Sequence, residues 1–214
     1  MQVSHTSDPF LSNYQPGGML TSVCDNWVSR IVSRGEDPFG LGRWSYVTLH
    51  GKGTRKLTVV TAYNATPSPG DSTYFHQQLR GLSRLHREQN LLDPRDPRRQ
   101  FILDLQAWLQ HLQLEDHQFI VCMDANDVYD PDSQATIHPL QYQPGHLSVD
   151  STHDGVLATL VSSCNLCLPL AHQHSTRPFP ASHIRGRNQI DYICWYPAPF
   201  SQPSCVLVFY FIIP

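Results

Sequence analysis

The sequence predicts an α/β (α+β) layered domain, and three observations predict it. Short apolar or alternating runs bounded by Gly, Pro, Asn and Asp read as strands. Two stretches in the middle switch to the three-and-four spacing of an amphipathic helix. Strand signals lie on both sides of those helices, which is the order of a layered α/β arrangement. At 214 residues, of which 40% are hydrophobic, the chain is long enough for one sizeable core, so residues 1–214 are expected to form a single domain.

Taken in order, residues 1–18 read as irregular and end in the turn Pro16-Gly17-Gly18. Met19 to Val23 and Trp27 to Val32 are strand candidates around the turn Asp25-Asn26. After the loop Glu36-Asp37-Pro38-Phe39-Gly40, Ser45 to His50 and Leu57 to Tyr63 flank Gly51-Lys52-Gly53, a hairpin pattern. Ser72 or Thr73 can cap a helix with Phe75, Leu79, Leu82 and Leu85 on one face. Asp96 followed by Pro97 starts a second helix, which places Phe101, Leu105, Leu109 and Leu112 on one face. Gln118 to Met123 is a short buried strand that stops at Asp124, and 127–149 reads as a long loop. A third helix is expected from Thr152 or His153 to about Ser163, and a last strand from Gln189 to Trp195. No internal repeat interrupts this order.

Composition excludes several classes. Lys plus Arg total 15 against 18 Asp plus Glu, a formal net charge of −3, so the chain is no basic nucleic-acid-coating protein. Seventeen prolines exclude a long helical rod. The longest apolar run, Val206 to Ile213, is far short of a bilayer span, so no membrane partner is expected. That run is β-branched and aromatic, and exposed it would be prone to aggregate. Residues 1–10 lack the basic and apolar regions of a secretory leader. Six cysteines stand without framework spacing, and reduced thiols suit an intracellular protein, nuclear or cytoplasmic. Asp outnumbers Glu 15 to 3, which favours caps, turns and rigid oxygen-lined sites.

Three places carry the chemistry. Asp124-Ala125-Asn126 ends an apolar strand, so its Asp and Asn project from one sheet edge and can jointly orient a water. Asp and Asn also form ordinary turns after strands, which on spacing alone is the commoner use. Asp191, inside the apolar run Gln189-Ile190-Asp191-Tyr192-Ile193, reads as a buried carboxylate in need of a partner, such as a histidine, or else as an edge-strand Asp. Tyr63-Asn64 closes the strand Val59-Val60-Thr61-Ala62; the phenol can donate to a phosphoryl oxygen or can cover the sheet end. Arg outnumbers Lys 13 to 2, which suits phosphate recognition, and Arg185 and Arg187 are placed either to contact phosphate or to sit in a solvated loop.

In this order, Tyr63, Asp124-Ala125-Asn126 and Ile190-Asp191-Tyr192-Ile193 resemble the endonuclease/exonuclease/phosphatase superfamily. That superfamily includes apurinic/apyrimidinic endonucleases, deoxyribonuclease I and the endonuclease domains of non-long-terminal-repeat retrotransposons. Pro16-Gly17-Gly18, Gly35-Glu36-Asp37 to Gly42-Arg43-Trp44, and Asp71 to Gln78 resemble its orphan or retroelement-like copies. The resemblance spans about residues 14–196, with 197–214 a divergent tail. It implies a two-sheet β-sandwich flanked by helices, the four-layer deoxyribonuclease I-like fold, here incomplete. It further implies phosphodiester or phosphomonoester hydrolysis with Mg²⁺ or Mn²⁺, on nucleic acid or another phosphate ester. By that pattern Asp124 positions or deprotonates the attacking water, and Asn126 holds the water and the phosphate. Tyr63 and Asn64 contact phosphate, Asp124 and Asn126 serve the metal, and Asp191 orients a histidine.

Two departures qualify this expectation. The superfamily opens with a strand bearing a Glu metal ligand, yet Glu36, Glu88 and Glu115 all fall in later segments. It closes with Ser-Asp-His, yet no histidine follows His183. The expectation is therefore a hydrolase truncated at both ends and impaired, because losing one member of a set that acts as a unit removes most of the rate. The alternative is an inactive nucleic-acid-binding or interaction remnant. A third reading is a zinc-binding module built from Cys164, Cys167, His172 and His174, whose spacing is tight for such a site.

Overall fold

The computed structural model describes residues 1–4, 17–88, 96–129, 156–169 and 191–196. Two short strands, β1 (Gln2–Ser4) and β2 (Met19–Thr21), pair antiparallel as a small sheet. The main sheet has five strands in chain order: β3 (Ile31–Glu36), β4 (Trp44–His50), β5 (Lys56–Tyr63), β6 (His117–Asp124) and β7 (Asp191–Trp195). Neighbours run antiparallel except β5 and β6, which are parallel. A parallel pair cannot be joined by a tight turn, and the crossover carries α1 (Tyr74–Glu88) and α2 (Pro97–Leu114). The expected α/β class is present: a mixed sheet, a second small sheet and flanking helices.

Period-two alternation gives the main sheet two distinct faces. One face carries Trp44, Val60, Phe119, Val121, Met123 and Cys194, all 1% exposed or less. Against it lie Phe101, Leu105 and Leu109 of α2, with Leu157 and Leu160 of α3 (Val156–Ser163). Each such side chain contributes about 1.5–3 kcal/mol relative to an exposed one. On the other face the small sheet packs over β3, β4 and β5. There the Thr21 hydroxyl donates to the Ser45 carbonyl at 3.0 Å and lies 2.7 Å from Ser45 Oγ and 3.0 Å from Thr61 Oγ1. These polar groups are satisfied between the sheets, so their burial carries little penalty.

The α2 prediction holds in detail. The Asp96 carboxylate accepts from the Arg98 amide at 3.1 Å, Pro97 occupies the first turn, and Phe101, Leu105, Leu109 and Leu112 are all buried. The hairpin of β4 and β5 and the end of β6 at Asp124 also hold. The third helix begins at Val156, and residues 130–155, which include most of the expected long loop, lie outside the described part.

Residues 1–18 are not irregular throughout, since Gln2–Ser4 pairs with β2 as β1. Two further expectations are corrected. Trp27 to Arg30 is no strand: Asp25–Arg30 forms a 3₁₀-helix, and β3 starts only at Ile31. Asp25 takes φ 55°, a left-handed conformation that Asp tolerates, and Trp27 and Val28 remain 45% and 51% exposed. With no layer to bury them, their apolar character does not enforce an extended chain. The second correction concerns α1, whose buried line is Tyr74, Gln77, Gln78, Gly81, Leu82 and His86; of the expected Phe75, Leu79, Leu82 and Leu85, only Leu82 is buried. This helix lies largely against the chain at Leu41 and Gly42, and Tyr74 also meets the ring of Tyr63 in β5. The Tyr74 hydroxyl donates to the Gly42 carbonyl at 3.0 Å, and Gln78 Nε2 donates to the Leu41 carbonyl. Buried carbonyls need donors, and Tyr74 and Gln78 supply them; the buried Gln77 amide has no partner among the described residues. Gly17 lies flat against the Tyr74 ring at φ 85°, where a Cβ would collide with that ring.

Candidate functional site

Strand register assembles the site. Tyr63, the last residue of β5, pairs with Asp124, the last of β6, and Asp124 pairs with Asp191, the first of β7. Directly opposed residues share a face, so a phenol and two carboxylates form one row across three strands. Tyr63 and Thr61 alternate onto the same face, and Thr61 meets the small sheet. The row therefore lies at the end of the inter-sheet side, where β5 and β6 finish. In open α/β sheets the carboxyl ends of parallel strands are where ligands meet projecting side chains.

The turn after β6 is built to hold Asp124. The Asn126 amide donates to Asp124 Oδ1 at 3.1 Å, an Asx turn, and Asn126 takes φ 46°. Asn126 Nδ2 donates to the Asn64 carbonyl at 2.7 Å, while the Asn64 amide donates to the Asp124 carbonyl at 2.9 Å. The ends of β5 and β6 are thus tied twice beyond the ladder. Asp124-Ala125-Asn126 is a turn, and that turn holds one oxygen of the Asp124 carboxylate. Asn64 departs from expectation. Its side chain is only 3% exposed, so it belongs to the framework of the site rather than to its open surface. Asp191 opens β7, an edge strand of the main sheet, and is half-buried, so of its two readings the edge-strand Asp is the one met.

Two residues not singled out by sequence complete the frame. Arg98, in the first turn of α2, donates from Nη2 to the Asn126 carbonyl at 2.8 Å, which brings a guanidinium to the turn. Its only sequence signal is its place after the Asp96-Pro97 start. Tyr192, next to Asp191, donates to the Asp127 carbonyl at 3.1 Å and accepts from the Tyr129 amide at 2.8 Å. Burial raises its hydroxyl above the usual phenol range, so it stays a neutral donor.

The donor chemistry fits a hard divalent cation. Asp124 and Asp191, paired across β6 and β7, offer carboxylate oxygens and Asn126 an amide oxygen, and the buried Asn64 Oδ1 has no hydrogen-bond donor among the described residues. Among the described residues no three His, Cys, Asp or Glu converge. Two carboxylates with an amide suit Mg²⁺, which is commonly held by one or two carboxylates together with substrate phosphates. Burial pushes the Cys122 thiol up to about 12 and the Cys164 thiol up to about 11. Cys164 is fully buried in the core, and Cys167 bridges to Trp195 through main chain. His172, His174, Arg185 and Arg187 lie outside the described residues.

An α/β fold with a carboxylate row at its strand ends is the class this structure defines. Among solved structures, the chain is similar to the human Nocturnin catalytic domain with bound sulfate anion, at 18% identity over 72% of this chain and 41% of that one, TM-score 0.40. It is likewise similar to the AP endonuclease LMAP from Leishmania major, at 18% identity over 72% of this chain and 46% of that one, TM-score 0.40. The chain spans less than half the length of either protein. No family model and no curated protein sequence matches it. Among the described residues no helix is long and apolar enough to cross a membrane.

Proposed function

We propose that this chain is a divalent-metal-dependent phosphodiester hydrolase of the endonuclease type, centred on Tyr63, Asp124 and Asp191. The observation that carries the reading is their alignment, by strand register, in one row on one face. The sequence resemblance to the endonuclease/exonuclease/phosphatase superfamily rests on the same residues. Asp124, its Oδ1 held by the Asn126 amide, accepts the proton of the attacking water and aims that water at phosphorus. Tyr63 donates to a phosphoryl oxygen or to the leaving oxygen. Asp191 with Asp124 and the Asn126 amide oxygen would hold Mg²⁺ or Mn²⁺, which when bound neutralises charge on the phosphate. Arg98 stiffens the turn that carries Asn126.

The test is incubation of the purified chain with supercoiled plasmid and with an abasic-site duplex, in Mg²⁺, in Mn²⁺ and in chelator. Metal-dependent strand cleavage is expected, falling at least about a hundredfold in Asp124→Ala, the scale of a lost general base. Equal cleavage by Asp124→Ala overturns the assignment. Salt-sensitive binding of an oligonucleotide with no cleavage in any metal assigns the chain instead to non-catalytic nucleic-acid binding.

A further inference from the structure

At the end of the sheet away from the hydrolytic row, two imidazoles converge on one carboxylate. His111 lies in the last turn of α2, Glu115 caps that helix, and His117 opens β6 after Asp116, which takes φ 58°. His111 Nε2 is 3.4 Å from Glu115 Oε1, and His117 Nε2 is 3.6 Å from Glu115 Oε2. The His117 side chain is 6% exposed, and its Nε2 has no hydrogen-bond partner among the described residues. Its other nitrogen is held: Nδ1 lies 3.0 Å from the Thr58 hydroxyl, which lies 3.1 Å from the Thr48 hydroxyl. With the ring proton on Nδ1, His117 donates to Thr58 and Thr58 donates onward to Thr48. The Nε2 lone pair then faces the Glu115 carboxylate, and two acceptors in that relation call for a cation between them. The alternative, an Nε2–H donated to Glu115, is too long at 3.6 Å for a hydrogen bond.

We infer that His111, Glu115 and His117 form a site for a zinc-like divalent transition metal, which pins the end of α2 to the start of β6. Two imidazoles and a carboxylate are a zinc donor set, and tetrahedral bonds of about 2.0–2.2 Å place neighbouring donors about 3.3–3.6 Å apart. Both nitrogen-to-oxygen separations have this size. Thr58 holds the His117 ring from behind as an outer partner, which orients a metal-binding imidazole. The three donors do not converge on one point as they stand, so coordination requires His111 and Glu115 to rotate. Their side chains are 65% and 49% exposed and free to do so, while His117 is the fixed ligand. Around His117 the carboxylates of Glu115 and Asp116 stand against one ammonium, Lys56, so the local charge favours a cation. The inference is independent of the hydrolase reading. His117 and Asp124 are the two ends of β6, about 23 Å apart, and nitrogen ligands select a different metal from the oxygen-lined row.

The test is titration of the intact, chelator-stripped chain with Zn²⁺, followed by calorimetry and by the thermal midpoint, and with Co²⁺, followed by visible absorption. Zn²⁺ at a hundredfold excess over its Kd is expected to raise the midpoint by about 5–10 °C. Co²⁺ should give the intense visible bands of a tetrahedral ion without a thiolate charge-transfer band. His111→Ala and Glu115→Gln, both at exposed side chains, should each weaken Zn²⁺ at least about tenfold, a loss that even an outer-shell partner can cause. Asp124→Ala should bind Zn²⁺ at this site as the parent does, which separates its failure from that of the hydrolytic row. No rise in midpoint with Zn²⁺, a thiolate band with Co²⁺, or undiminished Zn²⁺ affinity in either His111→Ala or Glu115→Gln overturns the proposal.

Discussion

Arg43 shows how one buried side chain organises the segment that feeds β4. Its side chain is 2% exposed, its Nε donates to Asp37 Oδ2 at 2.6 Å and its Nη2 to Asp37 Oδ1 at 3.0 Å, and Nη1 reaches Asp104 at 2.7 Å. The guanidinium also lies 4.9 Å from the centroid of the Trp44 ring. Burial disfavours its charge, but Asp37 and then Asp104 outweigh burial and keep it protonated. Removing the cation strands two carboxylates, one of them wholly buried. Arg43→Met is therefore expected to lower stability by about 3–5 kcal/mol, read as the shift in urea unfolding free energy. None of this was legible beforehand. Asp37 read only as part of the loop Glu36-Asp37-Pro38-Phe39-Gly40, and the third member, Asp104, is delivered by α2 from far along the chain.

Among the elements, α2 and α1 make an instructive contrast. The face of α2 was read correctly because it packs on an apolar sheet, where the hydrophobic period is the whole signal. Its start was equally legible, and Asp96→Ala is expected to cost about 1 kcal/mol by releasing the Arg98 amide, measurable in chemical denaturation. The face of α1 was misread by the same rule. It meets the carbonyls of Leu41 and Gly42, so donors are buried there, and Leu79 and Leu85 are left half-buried while Leu82 is buried. Periodicity reports which residues are apolar, not whether the neighbouring surface is. The 3₁₀ turn at Asp25–Arg30 fails for a related reason, since Trp27 and Val28 carry strand propensity but have no layer to cover them.

The molecule as a whole separates its polar end from a second buried polar spot at the far end of β6. There His117 is 6% exposed, with Nδ1 3.0 Å from the Thr58 hydroxyl and Nε2 3.6 Å from Glu115. Burial, then Lys56, lowers its pKa below the ordinary histidine value, with Glu115 and Asp116 opposing. The unfolded chain thus takes up this proton at a higher pH than the folded one. Its contribution is fully present above about pH 6.5 and is lost as pH falls below that value. The thermal midpoint is expected to drop less between about pH 7 and pH 5.5 in His117→Asn than in the parent chain. An equal drop in both proteins would remove His117 as the source.

By itself the sequence determined the alternation of strands and helices, the β4–β5 hairpin, the cap and apolar face of α2, and the place of Tyr63 and of Asp124-Ala125-Asn126 at strand ends. These follow from local rules of period, capping and turn chemistry, which act over a few residues. Only the tertiary structure decided that Tyr63, Asp124 and Asp191 share a row, that Asn64 is buried beneath it, and that Arg98 reaches the Asn126 turn. Register between distant strands is set by which faces must be buried together, and no short stretch of sequence contains that information.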